Sequence, residues 1–200
     1  MEPDRTRVYL ARHGEVDNHH LRVYNGQEDV DITPTGIRQM ERLRDHLKDK
    51  NLSAIYSSDL RRTKRGAEII AGPHRLPPQH FPHFREMHFG RWQGLSYPEV
   101  FDRYPADIPQ WMNNLETFRI PGGESLLDVR DRAIPRLQEL IEGHRGGEFV
   151  LVCHGALNRM ILAEALHLPL INLLRIEQDY GCLNIIEYTP SWSLVRLVNG

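Results

Sequence analysis

Apolar positions come in short bursts separated by polar stretches, and the period of each burst predicts its element. Val8-Tyr9-Leu10-Ala11 is a continuous apolar run that breaks at Arg12-His13-Gly14. It reads as a buried strand with a functional loop at its C-terminal end. Polar residues dominate 15–31. Thr33-Pro34 then supplies N-cap and first-turn chemistry, and Ile37, Met40, Leu43 and Leu47 recur at helical spacing, which predicts a helix over 34–49. A second strand is expected at 52–57. Ser58 or Asp59 is expected to cap a helix through Arg62, Ala67 and Ile70, stopped by Gly72-Pro73.

From about 73 to 123 the prolines gather and the periodicity weakens. This reads as an irregular specificity or cap region with short helices near 97–103 and 106–113, because loops tolerate variation that a sheet does not. Ser125 opens a longer helix with Leu126, Val129, Ala133, Leu137 and Leu140 on one face, ended by Gly143. The clearest buried strand is 149–153; it ends at His154-Gly155 and precedes a helix at 157–166. Two further strands, 182–188 and 192–198, flank Thr189-Pro190. Strands alternating with helices predict a three-layer α/β/α sandwich in one domain over 1–200, its sheet mostly parallel with an antiparallel edge strand. Ligands bind beyond the carboxyl ends of such strands, so topology places His13 and His154 at one site.

Composition narrows the function classes. Of 200 residues 40% are hydrophobic and 15 are glycine, an ordinary globular mixture that argues against disorder, collagen or a membrane protein. The most apolar stretch, 160–176, is interrupted by Glu164, His167, Pro169 and Asn172, short of the ~20 clean residues of a span. A net charge of −2 makes no whole-chain case for nucleic acid or an anionic membrane as partner. Cys153 and Cys182 lie in separate apolar runs without C-x-x-C spacing and read as reduced, packed thiols. The N-terminal residues enter the first strand without an apolar signal region, so a cytoplasmic location is expected, with a homodimer permitted. The unusual figure is 11 histidines.

If the strand ends are neighbours, Arg12, His13, Arg62 and His154 converge. Two guanidinium groups and two imidazoles make an anion pocket, and guanidinium forks match phosphate oxygens at any physiological pH. Backbone N–H groups near Gly155, at a helix start, add donors. A neutral imidazole can itself attack phosphorus and then leave, dividing one hydrolysis into two steps without a metal. Taken alone, Arg-His-Gly is more often a surface loop, and metal ligation by the histidines is the other reading. His13 and His154 lack a close i, i+4 partner, and His19-His20 are adjacent, which disfavours a metal site.

Arg12-His13-Gly14-Glu15 resembles the opening motif of the histidine phosphatases, the superfamily that includes the cofactor-dependent phosphoglycerate mutases. The resemblance runs nearly end to end. It takes in Asn25-Gly26-x-x-Asp29, Ile32-Thr33-x-x-Gly36, and Ser57-Ser58-Asp59-Leu60-x-Arg62, which selects Arg62 over Arg61. Arg85-Glu86-Met87-x-Phe89-Gly90-x-Trp92-x-Gly94 resembles the acidic motif, followed by Pro121-Gly122-Gly123-Glu124-Ser125 and Val152-Cys153-His154-Gly155. The resemblance implies that His13 is phosphorylated, that Arg12, Arg62 and His154 bind the transferring phosphoryl group, and that Glu86 is proton donor and acceptor. The implied substrate contacts are Arg12, Asn18, Asn25, Gly26, Arg62, Glu86, His154 and Gly155, with no cofactor or metal. Where many members have threonine and asparagine this chain has Val16 and His19, with Asn18 just before, so Asn18 and His19 are alternative contacts at that point. Gly66 stands where a threonine is usual, and Glu15 is expected to orient the loop.

Mutases of the superfamily carry a longer insertion between the acidic motif and the second histidine. The short separation of Glu86 and His154, with no long tail after the last strand, implies a phosphomonoester hydrolase acting on a small phosphorylated metabolite. The acidic motif together with Gly-Glu-Ser-Leu-Leu-Asp-Val most resembles the α-ribazole phosphatase branch, which makes α-ribazole 5′-phosphate a candidate substrate. Mutase and fructose-2,6-bisphosphatase-like activities are the alternatives, and a non-catalytic phosphate-binding protein is the alternative of another class. Trp92, Tyr97, Phe101, Tyr104, Trp111 and Phe118 are either an aromatic cap over the leaving group or local core.

Overall fold

The structure, a computed structural model, describes residues 4–200; positions 1–3 of the expected domain and of the N-terminal stretch lie outside the described residues. A six-stranded sheet runs β3-β2-β4-β1-β5-β6. β1 (Thr6–Arg12), β4 (Glu148–Cys153), β2 (Leu52–Ser57) and β3 (Gln79–His80) are mutually parallel. β5 (Leu183–Tyr188) is antiparallel to β1, and β6 (Ser193–Leu197) is antiparallel to β5. The antiparallel pairing thus occupies one side of the sheet, as a hairpin. β3 was not apparent from sequence because it is two residues long and polar, without an apolar run.

Alternation along the central strands builds two cores. Val8 and Leu10 of β1 with Phe149, Leu151 and Cys153 of β4 face one layer, in which α5 (Leu126–Gly143) and α6 (Gly155–Ala165) pack. Tyr9, Ala11, Val150 and Val152 face the other, covered by α1 (Pro34–Leu47) and α2 (Arg61–Ala71). The result is the expected α/β/α sandwich. Within the 73–123 region two short helices, α3 (Tyr97–Arg103) and α4 (Asp107–Asn113), form where the sequence indicated. Trp92 is fully buried and packs on Trp111 and Phe118, so these three rings are core, whereas Tyr97 and Phe101 are exposed.

Helix starts differ from expectation in two places. α2 begins at Arg61 with Leu60 as N-cap and no side-chain cap, because Ser58 turns inward and Asp59 pairs with Arg85. α6 begins at Gly155, not 157, with His154 itself as N-cap, so the helix dipole starts at the second histidine. α1 is capped as predicted, Thr33 accepting from the Gly36 N–H at 3.0 Å. The His13 loop lies directly on that first turn: a Cβ on Gly14 would sit 2.4 Å from the Gly36 carbonyl oxygen. Gly66, by contrast, faces the flexible end of Met40, which occupies the volume a threonine side chain would take. Among the described residues no helix is long and apolar enough to cross a membrane.

Candidate active site

The β1–β4 register sets the site. Arg12 pairs with Cys153, and the His13 N–H donates to the Cys153 carbonyl at 3.0 Å, so two central strands deliver their histidines side by side. The ring centroids are 5.2 Å apart. His13 Nδ1 lies 2.8 Å from the Gly14 carbonyl oxygen; a carbonyl only accepts, so Nδ1 holds the proton and Nε2 keeps its lone pair. Burial, reinforced by the charges of Arg62 and Arg12, pushes the His13 pKa well below 6.5. The imidazole is therefore neutral, the form that can act as a nucleophile.

His154 takes the opposite tautomer. Arg62 Nε donates to its Nδ1 at 3.3 Å, so Nε2 carries the proton and donates to Ser58 Oγ at 2.8 Å. Ser58 Oγ in turn meets Thr63 Oγ1 at 2.6 Å, and Thr63 donates to the Leu60 carbonyl at 2.8 Å. Burial first, then Arg62, holds the His154 pKa well below the ordinary value.

Arg62 is 1% exposed, with Nη1 and Nη2 donating to the Glu28 and Gly26 carbonyls at 2.6 Å each. Burial lowers its pKa to about 10, which leaves it charged at neutral pH. Arg61 is exposed beside Asp29, so the fold separates these neighbours as the motif indicated. Arg12 donates from Nη1 to the Gln178 carbonyl at 2.5 Å, stacks 4.0 Å over the Tyr180 ring, and has a buried Nε with no partner among the described residues. Tyr180 also packs against His13.

Glu86 lies close enough to Arg62 for its charge to act on that guanidinium. Its Oε2 accepts from the Ala156 N–H at 3.0 Å and its Oε1 from the Met87 N–H at 2.9 Å, which seats the carboxylate on the first turn of α6. The Glu86 carbonyl receives Arg132 Nη2 and Gln27 Nε2, both at 3.1 Å, and Arg132 is held by Glu124 at 2.7 Å. The Gly-Gly-Glu-Ser segment thus braces the acidic loop.

Asn18 and Asn25 exchange side-chain hydrogen bonds at 2.6 and 3.0 Å, and Gly26, at φ +51°, turns the chain so that its carbonyl meets Arg62. In this arrangement both asparagines brace the Arg62 loop. His19 is directed away, its Nδ1 toward the Val16 carbonyl and its Nε2 toward Glu15, while Glu15 accepts from Thr33 Oγ1 at 2.8 Å and ties the loop to α1. Three contributors, Arg132, Tyr180 and Arg159, escaped the sequence reading, and Ser58, expected there as a helix cap, instead accepts from His154. Arg159 follows Gly155 by four residues on α6, and that i, i+4 spacing was the available signal. Both cysteines are buried and free. Among the described residues no group of three or more His, Cys, Asp or Glu is placed to hold a metal ion.

Three buried or half-buried guanidinium groups, two neutral imidazoles and one carboxylate on a helix start are a donor set suited to a phosphoryl group. A model of the histidine phosphatase superfamily (branch 1) matches residues 8–200. The chain is 34% identical over 165 residues to phosphoglycerate mutase-like protein 4 of Arabidopsis thaliana, covering 81% of this chain and 72% of that protein. It is 31% identical over 164 residues to the metal-independent phosphoserine phosphatase of Arabidopsis thaliana, covering 80% and 69%. The crystal structure of the α-ribazole phosphatase from Shigella flexneri superposes with a TM-score of 0.86 at 25% identity, covering 97% and 96%. Since the matched span includes both histidine loops and Glu86, the chain belongs to branch 1 of the histidine phosphatase superfamily.

Proposed function

We propose that this protein is a metal-independent phosphomonoester hydrolase working through a phosphohistidine on His13. The reading is carried by the His13 tautomer: Nδ1 is committed to the Gly14 carbonyl, and the neutral ring keeps Nε2 as a nucleophile among cations. In the first step Nε2 attacks phosphorus, the P–O bond to the leaving group breaks, and Glu86 gives its proton to the departing oxygen. Arg12 and Arg62 hold the equatorial oxygens, where transition-state charge resides, and His154 joins them once its Nδ1 exchanges the Arg62 hydrogen bond for a proton as the phosphoryl group binds. In the second step Glu86 takes a proton from water, which attacks the phosphohistidine, and His13 leaves as neutral imidazole. Gly155, together with Asn18, Asn25 and Gly26, shapes the pocket around these groups.

The substrate is a small phosphorylated metabolite. The Shigella structure supports α-ribazole 5′-phosphate, and the Arabidopsis phosphatase supports phosphoserine. A phosphate-release screen over small phosphomonoesters, run with and without EDTA, tests the reading: release that survives EDTA and is lost in His13→Ala is the expected result. A second reading, phosphoglycerate mutase, rests on the mutase-like relative. Rapid isomerisation of 3-phosphoglycerate with catalytic 2,3-bisphosphoglycerate and little phosphate release would favour it. We place this activity in one domain over 1–200, in the cytoplasm, with a homodimer as the permitted assembly.

A further inference from the structure

On the reaction proposed above Arg12 meets the phosphoryl oxygens in one orientation, yet the contacts that orient its guanidinium come from a segment without helix or strand, between Arg175 and Leu183. The Gln178 carbonyl accepts from Arg12 Nη1 at 2.5 Å, and the Tyr180 ring centre lies 4.0 Å from Cζ. An irregular segment holds a carbonyl in place only through anchors. Asp179 and Gly181 are tied by their N–H groups, to Asn199 Oδ1 at 2.6 Å and to the His13 carbonyl at 3.0 Å, both after position 178. The anchor at 178 itself is the side chain, which turns inward; the residue is 2% exposed.

The primary amides of Asn158, Gln178 and Asn184 meet there. Gln178 Nε2 donates to Asn184 Oδ1 and Asn184 Nδ2 donates to Gln178 Oε1, both at 2.8 Å, a reciprocal pair with one register. Asn184 Nδ2 also donates to the Leu10 carbonyl at 3.0 Å, and its Oδ1 accepts from the Asn199 N–H at 2.9 Å. Asn158, one turn into α6, donates from Nδ2 to Gln178 Oε1 at 3.1 Å. Gln178 is thus tied to β1, which carries Arg12, and to the helix on which Glu86 is seated. Asn158 and Asn184 are fully buried. Stability alone does not call for this arrangement: burying an amide costs desolvation that its hydrogen bonds largely just offset, and apolar side chains of the same shape hold a core as well. Asn158 Oδ1 is even buried without a partner among the described residues. What a paired amide network does supply is a single, rigid placement of the segment.

We propose that Gln178 is a positioning residue: its buried amide, paired with Asn184 and Asn158, holds the backbone carbonyl that fixes the Arg12 guanidinium for the phosphoryl group. The inference rests on the reading of Arg12 as a phosphoryl ligand and goes beyond it in assigning what keeps that ligand in place.

The test is a double-mutant cycle on p-nitrophenyl phosphate hydrolysis, with Gln178→Met, Arg12→Ala and the two combined. Methionine keeps the volume and the backbone carbonyl and removes the amide, while Asn184 retains the Leu10 carbonyl and the Asn199 N–H as partners. Gln178→Met is expected to lower kcat/KM by about tenfold, the size of effect a charge-assisted hydrogen bond supports. In the Arg12→Ala background the same substitution is expected to change kcat/KM by less than about twofold, because the group it positions is gone. No loss in Gln178→Met, or an equal loss in both backgrounds, overturns the proposal; the equal loss is what a merely structural role gives. Should Gln178→Met fail to fold, Asn158→Leu/Gln178→Met, which also removes the amide left without a partner, goes through the same cycle. The phosphatase reading fails separately, if the wild type releases phosphate from no ester, p-nitrophenyl phosphate included. In that event, or if Arg12→Ala is inactive, the crystal structure of the Gln178→Met variant decides: an Arg12 guanidinium displaced from the carbonyl at position 178 supports the inference, and an unmoved one overturns it.

Discussion

The Ala156 N–H donates to Glu86 Oε2 at 3.0 Å, one residue past the glycine that follows His154, so the acid and the second histidine share one helix start. The helix capped by His154 thus positions both the second imidazole and the carboxylate proposed as the proton donor. This explains how a carboxylate from an irregular loop is held in register with a rigid sheet.

Replacing Glu86 by glutamine keeps an acceptor for the Ala156 N–H and removes the proton. Activity on alkyl phosphates, whose alkoxide needs that proton, should fall by roughly 10²- to 10⁴-fold. Activity on p-nitrophenyl phosphate, which leaves as a stable phenolate, should fall far less in the first step. Burst kinetics with the aryl ester separate the steps, and equal losses in phosphorylation of both esters would remove Glu86 as the leaving-group acid.

The two histidines also make stability depend on pH. Their folded pKa values lie well below 6.5, so as pH falls below 6.5 the unfolded chain binds protons that the folded site does not. Their contribution to stability is complete above pH 6.5 and is lost as pH falls toward the folded values. His74, His80 and His144 are likewise lowered by burial and add a background of the same sign. Sulfate, a dianion in this range, should stabilise protonated His154 and flatten the decline in Tm between about pH 7 and 5.5. A Tm profile that sulfate shifts without changing its slope contradicts this.

Gly14 and Gly66 should respond differently to alanine. At Gly14 the new Cβ meets a backbone oxygen 2.4 Å away, and neither the loop nor α1 can yield without moving His13. Roughly 3 kcal/mol of stability should be lost. At Gly66 the obstacle is the Met40 methyl at 2.9 Å, a flexible end that can swing aside, so the cost should be under ~1 kcal/mol. Urea unfolding of the two variants checks the contrast, and equal midpoints would refute it.

How much of this was legible in the sequence depended on where the signal came from. The two histidine loops were legible because each ends an apolar run of a buried strand, and the sheet register then makes them neighbours. Arg62 was separable from Arg61 only through the motif, since nothing local distinguishes adjacent arginines until one is buried. Ser58 looked like a helix cap because its residue type is a capping type; the competing claim was the His154 Nε2 proton, which fixes the tautomer. Arg159 and Tyr180 were hidden because their contacts depend on the 176–180 segment folding back over Arg12, a tertiary fact without a periodic signal. Several of the 11 histidines have structural partners rather than chemistry; His144, for example, bridges Ser53 and Tyr56 at 2.8 Å each.

The central claim is that His13 Nε2 becomes phosphorylated. Rapid quenching of the protein with its best ester from the screen, followed by peptide mass spectrometry under alkaline conditions, measures this directly. The account predicts one acid-labile phosphoryl group on the peptide containing His13, formed within a turnover and absent in His13→Ala. Steady phosphate release by the wild type with no phosphoryl group trapped, together with undiminished release by His13→Ala, would contradict it.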